Sequence, residues 1–427
     1  MRKEIMALKA NPRWCILTEP LWGIPFNLYA PFFTLFMAAL GLSDTDIGLL
    51  VSVGFFLQMI TAFLGGVLSD KFGRRRTTVI ADLLAWSVPT AIWAFAQDFR
   101  WFLVAAIFNS VWRVSETSWQ CLLVEDVEAE KIVKLYNWVY IAGLTAVFFA
   151  PVSMYFIGAF SLVPVMRVLF MFATISMTAK FIILYKFGEE TAQGAVRVQE
   201  TRGVSLWQLA LQCRTVFLQI IKTPATVRVL ILITLLNIQQ IASNNFFALY
   251  VTQDLGVPEQ FLGLFPILRA LVMLVFFLGL QNRLNKFPLY GVMLAGLTLY
   301  ISGHFLLISI SYLGGTYYEA FTFGVGALLP LILFTAIDAC AAALFLPRRD
   351  SLVILNVDPQ ERARIMALLT VIMLGISTPF GYMVGLLSET SRRLPFMMSI
   401  GLFVLMGVMV LMERGKHTTS AHPRDTA

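Results

Sequence analysis

The sequence predicts an all-α membrane protein of twelve transmembrane helices, and three observations carry the prediction. Of the 427 residues, 58% are hydrophobic and 13% charged, and the mean hydropathy is +0.78. Soluble globular chains carry about a quarter charged residues, so this composition excludes that class. Apolar runs recur along the whole length, each close to the roughly 20 residues that cross a hydrocarbon core. The chain also repeats itself. Leu40-Gly41-Leu42-Ser43-Asp44-Thr45-Asp46-Ile47-Gly48 corresponds to Leu255-Gly256-Val257-Pro258-Glu259-Gln260-Phe261-Leu262-Gly263, and at the same offset Asp70-Lys71-Phe72 falls on Asn285-Lys286-Phe287. The second copy lacks the carboxylate, and Pro288 stands in place of the glycine.

In chain order the spans are expected at 14–40, 45–68, 76–97, 101–124, 133–157, 163–187, 227–252, 260–281, 288–312, 322–346, 364–387 and 394–413. This divides the chain into a first half (1–187), a middle connection (188–225), a second half (226–413) and a tail (414–427). The segment before the first span is basic, but the span is long and has no small-residue cleavage site. It reads as a retained helix and not as a signal peptide.

Basic residues in the connections set the orientation. One side holds the N-terminus, the 71–76 loop, 125–134, the middle connection, Arg283/Lys286, Arg348/Arg349, Arg362/Arg364 and the C-terminus, about 25 Lys and Arg in all. The other side holds about four: Arg100, Arg167, Arg392 and Arg393. Both termini are therefore expected in the cytoplasm, with the protein multi-pass in a cell (inner) membrane. The net charge of +7 follows from this placement and needs no nucleic-acid partner. Cys15, Cys121, Cys213 and Cys340 lie toward the same side and read as free thiols.

In the middle connection, Ser205 and Gln208 resemble a capping box. Leu206, Leu209, Ala210, Cys213, Phe217, Ile220 and Ile221 then recur at helical spacing until Pro224. This pattern predicts an amphipathic helix on the membrane surface.

The most specific stretch is Gly65–Arg76, G-G-V-L-S-D-K-F-G-R-R-R, read as a short connection between two spans. Gly66, Ser69 and Gly73 permit a tight turn or a close approach, Asp70 sets a carboxylate at a helix end, and Lys71 with Arg74, Arg75 and Arg76 stack positive charge at one face. From Gly66 through Arg75 the string resembles, without a gap, the loop 2–3 signature of the major facilitator superfamily. Residues 357–364 resemble its loop 10–11 pattern. The resemblance implies two pseudo-symmetric six-helix halves that rock around a cavity near mid-membrane. It also implies a conformational gate at Gly66, Asp70, Lys71, Gly73, Arg74 and Arg75.

Charges at mid-bilayer depth are costly, so each is a functional candidate. Arg113 and Glu116 in the fourth span share a face and can pair. The superfamily resemblance makes Arg113 similar to an arginine found in proton-coupled members. Arg269 in the eighth span and Asp338 in the tenth can pair in space. Glu19 reads either as a proton site or as an interfacial acid. Lys180 is placed to snorkel and reads as structural. His304 reads as a satisfied buried histidine rather than a proton relay. Proton coupling is thus expected at Arg113, Glu116, Asp338 and Glu19.

The seventh span carries Asn237, Gln239, Gln240, Ser243, Asn244 and Asn245, too many polar side chains to face lipid. The resemblance implies that helices 1, 4, 7 and 10 line the cavity. Its expected lining is Trp22, Asn27, Trp112, Asn237, Gln240, Asn244 and Arg269, with Tyr29 and Trp119 nearby. Pro151 and Pro379 read as kinks. Around Pro151 the sequence resembles an antiporter motif, G-P-x-x-G, with both glycines replaced.

No phosphate-binding glycine loop, metal-ligand spacing or nucleophile–base pair appears, so no enzyme and no cofactor is expected. The resemblance implies a secondary transporter for a small solute, coupled to protons and working as a monomer in the lipid bilayer. Efflux of an amphipathic compound stands ahead of uptake of a sugar or organic acid. Lipid translocation or a membrane sensor remains as a different class.

Overall fold

The computed structural model describes residues 2–205, 223–284, 286–312, 328–355 and 362–420. Among them there is no strand, and eleven helices are long and apolar enough to cross a membrane. These are α1 (Ala10–Ala39), α2 (Asp44–Phe72), α3 (Arg74–Phe95), α5 (Glu130–Phe160), α6 (Leu162–Phe187), α7 (Pro224–Asp254), α8 (Glu259–Phe277), α9 (Leu289–Tyr312), α10 (Leu329–Leu352), α11 (Ile365–Thr390) and α12 (Leu394–Arg414). A twelfth, α4, runs in two pieces, Phe99–Asn109 and Trp112–Val124, and completes the twelve-helix, all-α membrane fold.

Local chemistry explains the ends of these helices. Ser43 caps α2: its Oγ accepts the Asp46 amide at 3.0 Å while the Asp46 carboxylate accepts the Ser43 amide at 3.0 Å. This reciprocal box satisfies two donors that a helix start leaves free. Asp98 caps α4 by accepting the Arg100 amide. Within α5 the helix restarts at Ala150–Phe160, and Pro151 sits in the first turn of that piece, where its missing N–H costs nothing.

Two expectations need correction. Gly65–Arg76 is not a loop: α2 continues to Phe72, and Gly73 alone, at φ +87°, links it to α3. Nor does Gly66 make a close approach, since the space in front of it is open. The close approach belongs to Gly65, whose missing side chain lets α2 rest on the backbone of Arg113 and Val114. The amphipathic helix expected over 206–221, Cys213 and most of the 357–364 motif lie outside the described residues.

Contacts divide the chain into two compact units. The first comprises Met1–Lys222, Glu259–Gly263 and Ala363–Gly385. Its core is aromatic: Tyr29, Phe33, Phe36, Trp93 and Phe170 from α1, α3 and α6 pack at centroid separations of 4.5–6.1 Å. The α11 stretch of this unit meets α2 backbone to backbone, through Gly48, Gly381 and Gly385. The second unit comprises Thr223–Pro258, Leu264–Arg362 and Leu386–Ala427. Leu236, Met293, Leu297, Phe345 and Phe403 fill its core, and Tyr300 stacks on Phe403 at 4.6 Å.

Candidate functional site

The first unit holds an open cavity of about 400 Å³ lined by α1, α3, α4 and α6. Glu19 comes from α1, Asp82 from α3, Glu116 from α4 and Lys180 from α6. Four tryptophans, Trp22, Trp86, Trp112 and Trp119, form most of the remaining wall with Phe26 and Phe181. Trp22 stacks on Phe26 at 4.9 Å and meets Trp86 edge-on at 5.1 Å. Such offset and edge contacts hold the rings in fixed orientations.

The charges are arranged in pairs. Lys180 donates to Glu19 across 2.8 Å, and both side chains are nearly buried, at 6% and 12% exposure. The snorkelling expected of Lys180 is not seen: its ammonium turns into the cavity, close to the rings of Trp22 and Trp119. Arg113 donates to Glu116 at 2.9 Å, as their spacing predicted, and its guanidinium lies 3.9 Å from the Trp112 ring centroid. A cation stacked on indole and paired with a carboxylate is held in one orientation. Asp82, 7% exposed, faces Ser115 and Trp86. The indole N–H groups of Trp22 and Trp119 are buried without an acceptor.

Of the other expected lining residues, Asn27 donates to the Gly23 carbonyl of its own helix at 2.8 Å. In the second unit Arg269 and Asp338 pair at 2.5 Å, as anticipated. On α7, Gln239 donates to Ser243 at 2.8 Å, the Asn237 amide is buried without an acceptor, Gln240 is half-buried and Asn244 is exposed. His304 is fully buried, with Nδ1 against the Tyr300 carbonyl at 2.9 Å and Nε2 unpartnered among Phe334, Phe396 and Phe403.

A second cluster gathers at the junction of α2 and α3. Arg74, 4% exposed, is clasped by Asp70 at 2.6 Å and Glu125 at 3.1 Å. The Glu190 carboxylate accepts the Arg74 and Arg75 amides at 2.7 and 3.1 Å, the N-terminal donors of α3. Arg75 also donates to the Gly188 carbonyl, Lys71 to the Val204 carbonyl and Thr201 to the Asp70 carbonyl. The connection, with its short helix Ala192–Glu200, is thereby fastened to this junction.

Sequence reasoning missed Asp82, Trp86, Glu125 and Glu190. Asp82 lies six residues past the basic string, where a lone acid in an apolar run was the available signal. Glu125 and Glu190 lie in polar segments that offer no signal of their own.

The Major Facilitator Superfamily model matches residues 23–337. A relative from Bacillus subtilis (strain 168), described as an uncharacterized MFS-type transporter, YqjV, is 26% identical over 149 residues. That stretch is 34% of this chain and 36% of the relative, so the match spans about a third of the relative's length. Among solved structures, the nucleoside transporter NupG superposes with a TM-score of 0.70 at 13% identity, covering 95% of this chain and 99% of that one. A POT family transporter in complex with 5-aminolevulinic acid gives 0.70 at 14%, covering 98% and 100%. The xylose transporter XylE from E. coli gives 0.64 at 16%, covering 94% and 97%. At these identities the superpositions establish the shared fold.

Proposed function

Since the chain belongs to the major facilitator superfamily, we propose that it is a membrane solute transporter that exports an amphipathic compound by alternating access, driven by protons. The observation that carries this reading is the cavity of the first unit. It joins an aromatic wall to three carboxylates and one lysine, and two of its lining residues, Trp112 and Glu116, hold Arg113. The rings would hold the apolar body of a substrate by burial. A carboxylate among them would exchange a proton for its polar end.

In this reading Arg113 with Glu116, and Glu19 with its partner Lys180, form the coupling machinery, and Arg269 with Asp338 acts in the second unit. Pairing of both arginines weighs against uptake of an anionic metabolite, because each is already neutralised by a carboxylate. Asp70, Lys71, Gly73, Arg74 and Arg75 would hold one closed arrangement, and Arg74 does so through Asp70 and Glu125. Both termini lie in the cytoplasm of a cell membrane and a single chain suffices.

The test is solute-dependent proton flux in liposomes loaded with a pH-sensitive dye, under an imposed gradient. Flux that appears with particular amphipathic solutes and is lost in Glu116→Gln supports the proposal. Solute movement without proton flux would overturn the coupling.

A further inference from the structure

We propose that the cavity of the first unit is a binding site for a monovalent aromatic cation, with Asp82 as its counter-ion. The inference rests on the transport reading above and goes beyond it in naming the substrate's charge and the residue that meets it.

A charge count over the cavity carries the argument. Glu19 is neutralised by Lys180 at 2.8 Å and Glu116 by Arg113 at 2.9 Å. Asp82 is the remaining carboxylate of the lining. Its polar neighbours, the Ser115 hydroxyl and the Trp86 indole, are uncharged, and the one Ser115 hydroxyl proton is directed at the Trp112 carbonyl at 2.9 Å. The cation that acts on it, Lys180, is already held by Glu19. The lining with Arg113 therefore carries one surplus negative charge whenever Asp82 is ionised.

A buried surplus charge in a site walled by indoles is costly to leave unmet. Two species meet it: a proton, or a cation whose rings fill the space between Trp22, Trp86, Trp112 and Trp119. Indole faces attract cations through their quadrupole, so wall and floor select the same ligand. The charged groups acting on Asp82 are Lys180 on α6 and Glu19 on α1, with the Cys15 thiol of α1 also in range; Glu116 of α4 lines the same cavity, paired with Arg113. Because these two ion pairs each cancel, proton and cation compete for Asp82 alone.

The experiment is equilibrium binding of radiolabelled tetraphenylphosphonium to purified, detergent-solubilised protein across pH 5–8. Tetraphenylborate, of matched shape and opposite charge, serves as competitor. The expected result is saturable phosphonium binding that weakens by up to about tenfold per pH unit on the acid side, as one proton displaces one cation. In Asp82→Asn the affinity falls at least tenfold and the pH dependence vanishes, while the charge-conserving Asp82→Glu restores both. The Asn variant is scored only when its melting profile matches the parent.

Wild-type affinity in a folded Asp82→Asn, or loss of binding in Glu116→Gln instead, overturns the assignment. So does preferential binding of tetraphenylborate. A protein that drives proton flux with other solutes but never binds the phosphonium overturns this inference alone. One that binds it and never couples its movement to protons overturns the transport reading alone.

Discussion

The carboxylate of Glu190 stands where a side chain on Gly73 would stand: a Cβ there would lie 2.5 Å from Oε2. From that position it accepts the first two amides of α3. The single-residue link between α2 and α3 thus depends on a glycine for two reasons, its φ of +87° and the acid lodged against it.

Gly73→Ala should destabilise the solubilised protein by about 1–3 kcal/mol, combining left-handed strain with loss of the cap. Glu190→Ala should cost only the capping part, about 1 kcal/mol. The double variant should fall short of the sum, because removing the carboxylate relieves the clash. Chemical denaturation of the three variants checks this; strict additivity would refute the contact.

Asp70→Asn should leave insertion intact and slow transport. Arg74 would keep Glu125 at 3.1 Å but lose its 2.6 Å partner on α2, loosening the clasp between α2 and α3. Initial rates in vesicles, normalised to inserted protein, give the answer. An unchanged rate would remove Asp70 from the mechanism.

Lys180→Met should be severe, costing about 3–5 kcal/mol, since it leaves the nearly buried Glu19 carboxylate without its cation. Glu19→Gln combined with Lys180→Met should recover most of that loss. Thermal melts of the single and double variants decide it, and equal damage in both would mean the pair is not coupled.

Gly48→Leu should lower both melting temperature and transport rate. A Cβ on Gly48 would stand 2.5 Å from the Gly381 carbonyl oxygen and 2.8 Å from the Gly385 Cα, and backbone atoms cannot swing aside. Gly66→Leu, facing open space on the same helix, is the control and should melt as the parent does. Equal melting of the two variants would deny that the glycine contact between α2 and α11 matters.

Much of this molecule was legible before folding was considered. The spans follow from apolar length, and the Arg113–Glu116 pair follows from helical spacing, both of which are local properties. The Arg269–Asp338 pair was foreseeable because two opposite charges lying within membrane spans have few better partners. The reading of Lys180 failed for a related reason. Its distance along the chain from the helix end suggested snorkelling, while the direction of its side chain around the helix axis was invisible.

By itself the sequence determined the twelve helices, the repeat of its halves, the family string from Gly66 to Arg75 and the residue types available for a site. Only the tertiary structure decided that Glu19, Asp82, Glu116 and Lys180 from four helices meet in one cavity, that four tryptophans surround them, and that Glu190 seals the turn at Gly73. The physical reason is that hydropathy sets where a helix crosses, while its rotation and depth are set by packing against its neighbours. In a bilayer that rotation determines whether a charged side chain meets lipid, a partner or a ligand.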